Sequence, residues 1–78
     1  MKETVNMVAQ VNVSKELGKK IQKIRKEKDL SQEKLALEAG LNRAYIGYIE
    51  RGERNPSIQV VAKIAKVLKI KLYELFRF

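Results

Sequence analysis

The side chains best suited to bind a ligand lie between residues 42 and 55, where arginine, tyrosine and asparagine recur at short intervals. Ile46 and Ile49 are three residues apart in this segment, so in a helix both would turn towards a core. The other positions would face outward: Arg43, Ala44, Gly47, Tyr48 and Arg51. Guanidinium and phenol groups donate hydrogen bonds to phosphate oxygens, and this outward set is therefore suited to entering a nucleic-acid groove.

The overall charge favours the same kind of partner. The 78-residue chain has 17 lysine and arginine residues against 9 acidic ones, which gives a net charge of +8. Such an excess favours a polyanionic partner, although charge alone does not separate DNA from RNA or anionic lipid.

The absence of cysteine and histidine excludes several function classes. The chain has no thiol nucleophile, no disulfide and no imidazole for proton transfer or for a nitrogen-ligated metal. No nucleophile, base or phosphate-binding loop with recognisable spacing is present either. We therefore expect neither an enzyme nor a protein with a metal or cofactor.

The longest uncharged stretch, residues 4–14, is interrupted by Asn6, Gln10 and Asn12. It lacks the unbroken apolar run of a signal peptide and the length of a membrane span. We expect a cytoplasmic protein that does not enter a membrane. The chain is long enough for one compact domain and too short for two.

Two different periodicities divide the chain near residue 14. Apolar residues alternate over residues 4–13, a period of two that predicts a short β-strand. From Ser14 onward, Leu17, Ile21 and Ile24 are spaced three and four apart and predict a helix capped by Ser14. Residues 1–13 are thus expected to be an N-terminal extension, as a strand or a disordered arm, and residues 14–78 a helical domain.

Cap residues and apolar spacing predict four further helices. Ser31 precedes a helix that Gly40 ends, and Asn42 precedes one that runs to residue 51 and is closed by Gly52. Ser57 caps the next helix, and a short fifth helix is expected from residue 72 to residue 76. The buried stripe of the fourth helix is expected to consist of Ile58, Val61, Ala62, Ala65 and Leu68.

Residues 32–52 combine the features of two helices that cross steeply over a short turn. Ala36 provides a small side chain at the crossing, and Gly40 tolerates the positive φ that the turn needs. The stretch L-S-Q-E-K-L-A-L-E-A-G-L-N-R-A-Y-I-G-Y-I-E-R-G closely resembles the helix-turn-helix of the Cro and phage-repressor (XRE-type) family. The resemblance covers residues 17–75 and implies an all-α, five-helix lambda-repressor-like DNA-binding domain, here preceded by the possible short strand.

Within that family, residues 44–57 read A-Y-I-G-Y-I-E-R-G-E-R-N-P-S and look most like the controller proteins of restriction-modification operons. Such controllers bind as dimers to their own promoter region. The resemblance therefore implies a homodimer that binds a palindromic site on double-stranded DNA.

The resemblance also assigns roles to individual residues. Base reading would fall to Arg43, Ala44, Gly47 and Tyr48. Arg43 would contact guanine O6 and N7, and Ala44 would pack on a thymine methyl. Gly47 would leave room for DNA or a neighbouring side chain. Contacts to the DNA backbone would come from Gln32, Asn42, Tyr45, Arg51, Arg54 and Asn55. Of the two tyrosines, one could instead cover the edge of the core.

Two architectural roles follow from the same resemblance. Arg25 and Glu50 match an internal salt bridge that links the first helix to the end of the third, and Gln32 would brace the third helix. The twofold interface would be formed by surplus apolar residues near the C-terminus: Ile70, Leu72, Tyr73, Phe76 and Phe78.

One alternative from another class is a protein-interaction module, such as an antitoxin or a coactivator-type bridging protein, which keeps the fold but binds a protein partner. A membrane-surface role ranks lower, because Leu17, Ile21 and Ile24 are needed for the core. If the protein activates transcription, it must also touch RNA polymerase, for which Glu33, Glu38 or Glu53 could contribute a surface.

Overall fold

A computed structural model describes residues 12–78, and all the regular structure in that range is helical. The elements are α1 (Val13–Glu27), α2 (Gln32–Ala39), α3 (Arg43–Glu50), α4 (Ile58–Leu68) and a 3-10 helix (Leu72–Phe76). The all-α prediction is confirmed. The strand predicted for the N-terminal extension lies, except for its last two residues, outside the described residues.

The first helix begins two residues earlier than expected, at Val13, and its cap is Asn12 rather than Ser14. The Asn12 side-chain oxygen accepts a hydrogen bond from the backbone N–H of Lys15 at 3.1 Å. The prediction that Ser14 is the cap was wrong, because Ser14 lies inside the helix and its hydroxyl hydrogen-bonds the side chain of Asn55 instead.

The turn between α2 and α3 follows the predicted local chemistry. The Ser31 hydroxyl accepts from the N–H of Lys34 at 2.9 Å and caps α2. Gly40 ends α2 in the left-handed conformation with φ of +69°, which glycine adopts without steric penalty. The Asn42 side chain accepts from the N–H of Ala44 at 2.7 Å and starts α3 directly. Only two residues therefore separate the left-handed turn from the next helix.

The core draws on every helix. Its largest fully buried side chains are Ile21, Leu35, Ile46, Ile49, Val61, Ile64, Leu68 and Leu75. α3 packs between α1 and α2, while α4 and the 3-10 helix close the other side of the core. This arrangement holds α3 against the body of the domain along its Ile46 and Ile49 face, as the spacing of these residues predicts.

The buried stripe of α4 differs from the predicted one. Its members are Val61, Ile64, Ala65 and Leu68, spaced i, i+3, i+4 and i+7. Ala62 is exposed, because it lies one residue beyond Val61 and so turns away from that stripe. Ile58 begins the helix and its side chain remains 55% exposed. The expected inclusion of Ile58 and Ala62 was therefore wrong, and Ile64 was missed.

The fifth element is a 3-10 helix of five residues, at the place where the sequence predicts a short helix. Lys69, with φ of +60°, ends α4 in the left-handed conformation without a glycine. The backbone N–H of Lys71 donates to the Glu74 carboxylate at 2.9 Å, which stabilises the start of the short helix. Leu75 then inserts into the core. None of the helices described is long and apolar enough to span a bilayer.

Candidate nucleic-acid interface

The first turn of α3 presents two of the predicted base-reading residues to solvent. Arg43 and Ala44 are both exposed, and they follow the cap residue Asn42 directly. Side chains at the N-terminal end of a recognition helix are those that reach base edges when the helix enters a major groove. Arg43 and Ala44 are therefore accessible at that end of α3.

The two tyrosines of α3 have separate environments. Tyr45 is half-buried and packs against the hydrophobic core. Tyr48 is exposed, and two guanidinium groups lie over its ring. The Cζ atom of Arg51 is 5.2 Å from the ring centroid, and that of Arg54 is 5.0 Å from it. Tyr48 is thus held in a double cation–π stack on the outer face of the helix.

Arg51 is folded back along α3 rather than extended into solvent. Its Nε donates to the Glu53 carboxylate at 3.2 Å. At its other end, Nη1 lies so close over Gly47 that a Cβ atom there would be 3.2 Å from it. A glycine inside a helix costs about 1 kcal/mol relative to alanine. The space that Gly47 leaves is occupied by a neighbouring side chain, and Gly47 itself is buried beneath it.

The end of α3 is held from the inside by a buried network around Glu50. The Arg25 Nε and Nη2 atoms donate to the two Glu50 carboxylate oxygens at 2.7 and 3.0 Å. The Gln32 side-chain amide donates to the same carboxylate at 2.9 Å, and Arg25 Nη1 donates to the Leu30 carbonyl at 2.7 Å. Among residues 12–78, no buried side-chain nitrogen or oxygen atom lacks a partner. The network ties α1 and α2 to the last residue of α3.

Gly18 is a positioning residue that the sequence interpretation missed. A Cβ atom at Gly18 would overlap the backbone carbonyl oxygen of Ile49 and lie 2.6 Å from that of Glu50. α1 therefore crosses the C-terminal end of α3 backbone against backbone. The available signal was a glycine between Leu17 and Lys19 in the interior of a strongly amphipathic helix, where glycine is otherwise unfavourable.

The loop after α3 is anchored on the start of α1. Gly52 adopts φ of +74°, and a Cβ atom there would be 2.8 Å from Cα of Lys15. The side-chain oxygen of Asn55 accepts a hydrogen bond from the Ser14 hydroxyl. Arg54 and Asn55 are both exposed on this anchored loop. Of these two loop residues, Arg54 lies beside Tyr48, whereas Asn55 lies against the start of α1.

The five residues predicted for a twofold interface do not share one environment. Ile70 and Leu72 are half-buried and pack against the protein's own core. Tyr73, Phe76 and Phe78 are exposed by 64%, 37% and 54%. The apolar surface open to a partner near the C-terminus thus consists of three aromatic side chains.

The exposed chemistry around α3 consists of hydrogen-bond donors, positive charge and aromatic surface. No group of acidic side chains within residues 12–78 is arranged to hold a metal ion. Glu53 is a carboxylate in direct contact with Arg51 of this surface. Such a surface is suited to binding an anionic groove.

Comparison with known proteins supports the same assignment. Residues 21–75 match the helix-turn-helix family model HTH_3. The control protein C.BamHI of Bacillus amyloliquefaciens is 44% identical over 68 residues, which span 86% of this chain and 84% of C.BamHI.

Two solved structures extend the comparison to three dimensions. The crystal structure of the restriction-modification controller protein C.AhdI from Aeromonas hydrophila matches with a TM-score of 0.78 at 44% sequence identity, covering 80% of this chain and 94% of that one. The structure of SinR, the master regulator for biofilm formation, in complex with DNA matches with a TM-score of 0.73 at 40% identity, covering 76% and 95% of the two chains. The family match spans well over half of the sequence, and this chain belongs to the helix-turn-helix family.

Proposed function

We propose that this protein is a cytoplasmic, sequence-specific regulator of transcription that binds double-stranded DNA as a homodimer and acts as a restriction-modification controller. The observation that carries the proposal is the exposed first turn of α3, Arg43 and Ala44, on a helix braced through Glu50 to α1 and α2. A rigid helix with exposed base-reading side chains is what sequence discrimination requires.

Base reading divides among the residues of α3. The Arg43 guanidinium donates to guanine O6 and N7, and Ala44 packs on a thymine methyl. Tyr48 presents a ring edge and a phenol that the flanking guanidinium groups hold in place. Gly47 contributes by letting α3 and the folded Arg51 side chain lie close to the groove.

The residues proposed to contact the sugar-phosphate backbone lie around the base-reading residues of α3. Gln32 and Asn42 lie at the N-termini of α2 and α3, where positive helix-dipole ends and unpaired N–H groups favour phosphate. The phenol of Tyr45 would donate to phosphate at the groove edge. Arg54 and Asn55 would grip the backbone from the anchored loop after α3. Arg51 is the remaining backbone contact.

The homodimer would place two copies of α3 in successive major grooves about 34 Å apart, on a palindromic site. Tyr73, Phe76 and Phe78 supply the exposed aromatic surface for a twofold interface, with Ile70 and Leu72 supporting it from the core. The controller role is supported by the resemblance to C.BamHI and C.AhdI, and the DNA partner by the SinR complex. Contact with RNA polymerase, needed for activation, would use acidic residues such as Glu33 on the exposed side of α2.

The proposal is tested by selecting binding sites from random duplex DNA and comparing them with the sequence upstream of the protein's own gene. Arg43→Ala should weaken operator binding by about 1–3 kcal/mol for each half-site, the range expected for one bidentate guanine contact, and relax the preference at one base pair of each half-site. Lys63→Ala, which removes a positive charge from the exposed side of α4, is the matched control and should retain the preference.

Two results would contradict the proposal. The first is that wild-type protein binds random duplex as tightly as any selected site. The second is that Arg43→Ala leaves operator affinity unchanged while a protein partner is still captured, which would favour the interaction-module alternative.

A further inference from the structure

Glu53 places a negative charge beside Arg51, one of the residues of the proposed DNA-binding surface. Its carboxylate lies 3.2 Å from Arg51 Nε, and the two side chains are 52% and 56% exposed. The neighbouring Arg54 also lies over the Tyr48 ring, with its Cζ atom 5.0 Å from the ring centroid. A carboxylate at a surface that must approach phosphate groups opposes binding unless it has a specific role.

The contact determines what Arg51 can offer to DNA. A guanidinium group binds phosphate through N–H donors in a planar fork. The Nε donor of Arg51 is already paired with Glu53, and its Nη1 atom is packed over Gly47. The guanidinium group of Arg51 also lies over the Tyr48 ring. The carboxylate therefore occupies a position that a phosphate oxygen would take.

We propose that Glu53 is an affinity-setting residue, an intramolecular competitor that phosphate must displace from Arg51 when DNA binds. This inference rests on the proposed function. Exposed ion pairs are weak, so the densely charged duplex displaces the carboxylate. The displaced carboxylate stays close to the phosphate and offsets part of the charge that Arg51 contributes. Glu53 thereby lowers affinity for operator and random duplex alike, and reduces the number of phosphate charges that binding neutralises.

The test compares Glu53→Gln with the wild-type full chain on the selected operator and on random duplex, over a range of salt concentrations. Glu53→Gln should bind both duplexes roughly two- to fivefold more tightly, from the loss of one weak competing ion pair. The slope of log K against log salt should steepen by about 1 for each protomer, because Arg51 then contributes its full charge.

Glu38→Gln is the matched control. It removes the same charge from another exposed ion pair, that of Glu38 with Lys34 at 3.3 Å on α2. It should leave the salt slope at its wild-type value, because the competition with phosphate is local to Arg51. An equal steepening in both variants would overturn the inference, since the effect would then reflect net charge alone.

A double-mutant cycle with Arg51→Gln separates competition from loop anchoring. If Glu53 competes for Arg51, the loss of affinity on Arg51→Gln is larger in the Glu53→Gln background than in the wild type. If Glu53 instead positions Arg51 for DNA, Glu53→Gln weakens binding and the loss is smaller in that background, which overturns the inference. Failure of wild-type protein to prefer any duplex would refute the proposed function itself, whereas preference with unchanged Glu53→Gln binding would refute only the role of Glu53.

Discussion

Two arginine–glutamate pairs flank the C-terminal end of α3, and they differ in environment. In the Arg25–Glu50 pair, the side chains are 8% and 1% exposed, and the carboxylate accepts three hydrogen bonds. In the Arg51–Glu53 pair, both side chains are more than half exposed and a single hydrogen bond joins them. The same two functional groups therefore fix the orientation of α3 in the buried pair and form an exchangeable contact in the exposed pair.

The two pairs differ because water reaches the exposed pair and not the buried one. Separating a buried pair leaves a charge without water or a partner, so the buried geometry is retained. Separating an exposed pair costs little, because water or another anion replaces the lost partner. The inner pair can thus hold α3 in place while the outer pair rearranges on DNA.

The largest expected effect comes from breaking the inner pair. Glu50→Ala leaves Arg25 buried without its carboxylate and should lower the free energy of unfolding by about 3–5 kcal/mol. The free energy of unfolding is measured by urea denaturation, monitored by circular dichroism. Glu38→Ala, in an exposed pair, is the control and should change stability by less than about 1 kcal/mol. Equal losses in the two variants would contradict the contrast between buried and exposed pairs.

A smaller loss is expected from separating the helices that the inner pair connects. In Gly18→Ala, the added methyl group meets the carbonyl oxygens of Ile49 and Glu50, and backbone must move. We expect destabilisation of about 1–3 kcal/mol, as for overpacked cores, with a further loss of operator affinity because α3 shifts. Lys19→Ala, at the adjacent exposed position, should leave both the urea midpoint and operator binding nearly unchanged. A Gly18→Ala protein of wild-type stability would show that the crossing is not tight.

The smallest expected effect has the opposite sign. In Gly47→Ala, the tight contact of the added methyl group is with the flexible end of Arg51 at 3.2 Å, which can move aside, and its contact with Gln32 at 3.9 Å is an ordinary van der Waals contact. Stability should rise by about 0.5–1 kcal/mol, because alanine favours the helix over glycine. Gly40→Ala is the control and should destabilise, since alanine is strained at φ of +69°. A Gly47→Ala protein less stable than the wild type would mean that Arg51 cannot leave its position.

The caps of α2, α3 and α4 could be predicted because capping is local. Ser31, Asn42 and Ser57 each bond to a backbone N–H two or three residues ahead, so the spacing alone identifies them. The start of α1 could not be predicted in this way. Asn12 and Ser14 are both good caps, and Ser14 is engaged by Asn55, 41 residues away.

The candidate interface was likewise only partly predictable. The periodicity of Ile46 and Ile49 correctly predicted that Arg43, Ala44 and Tyr48 are exposed. The expectation that Gly47 also faces outward was wrong, because Gly47 is buried under the Arg51 side chain. The periodicity could not predict which of Tyr45 and Tyr48 is half-buried, because the core edge that Tyr45 covers is built by other helices. The Arg51–Glu53 contact also escaped prediction, since it spans the end of a helix where regular spacing no longer applies.

The sequence by itself determined that the chain forms helices, where most of them begin and end, and which face of α3 is outward. These properties depend on neighbours within one or two helical turns. The tertiary structure alone decided the close crossing at Gly18, the stripe of α4 that is buried, and the different exposure of the two arginine–glutamate pairs. Those depend on which backbone or solvent lies opposite each residue, and that is set only when all the helices have packed together.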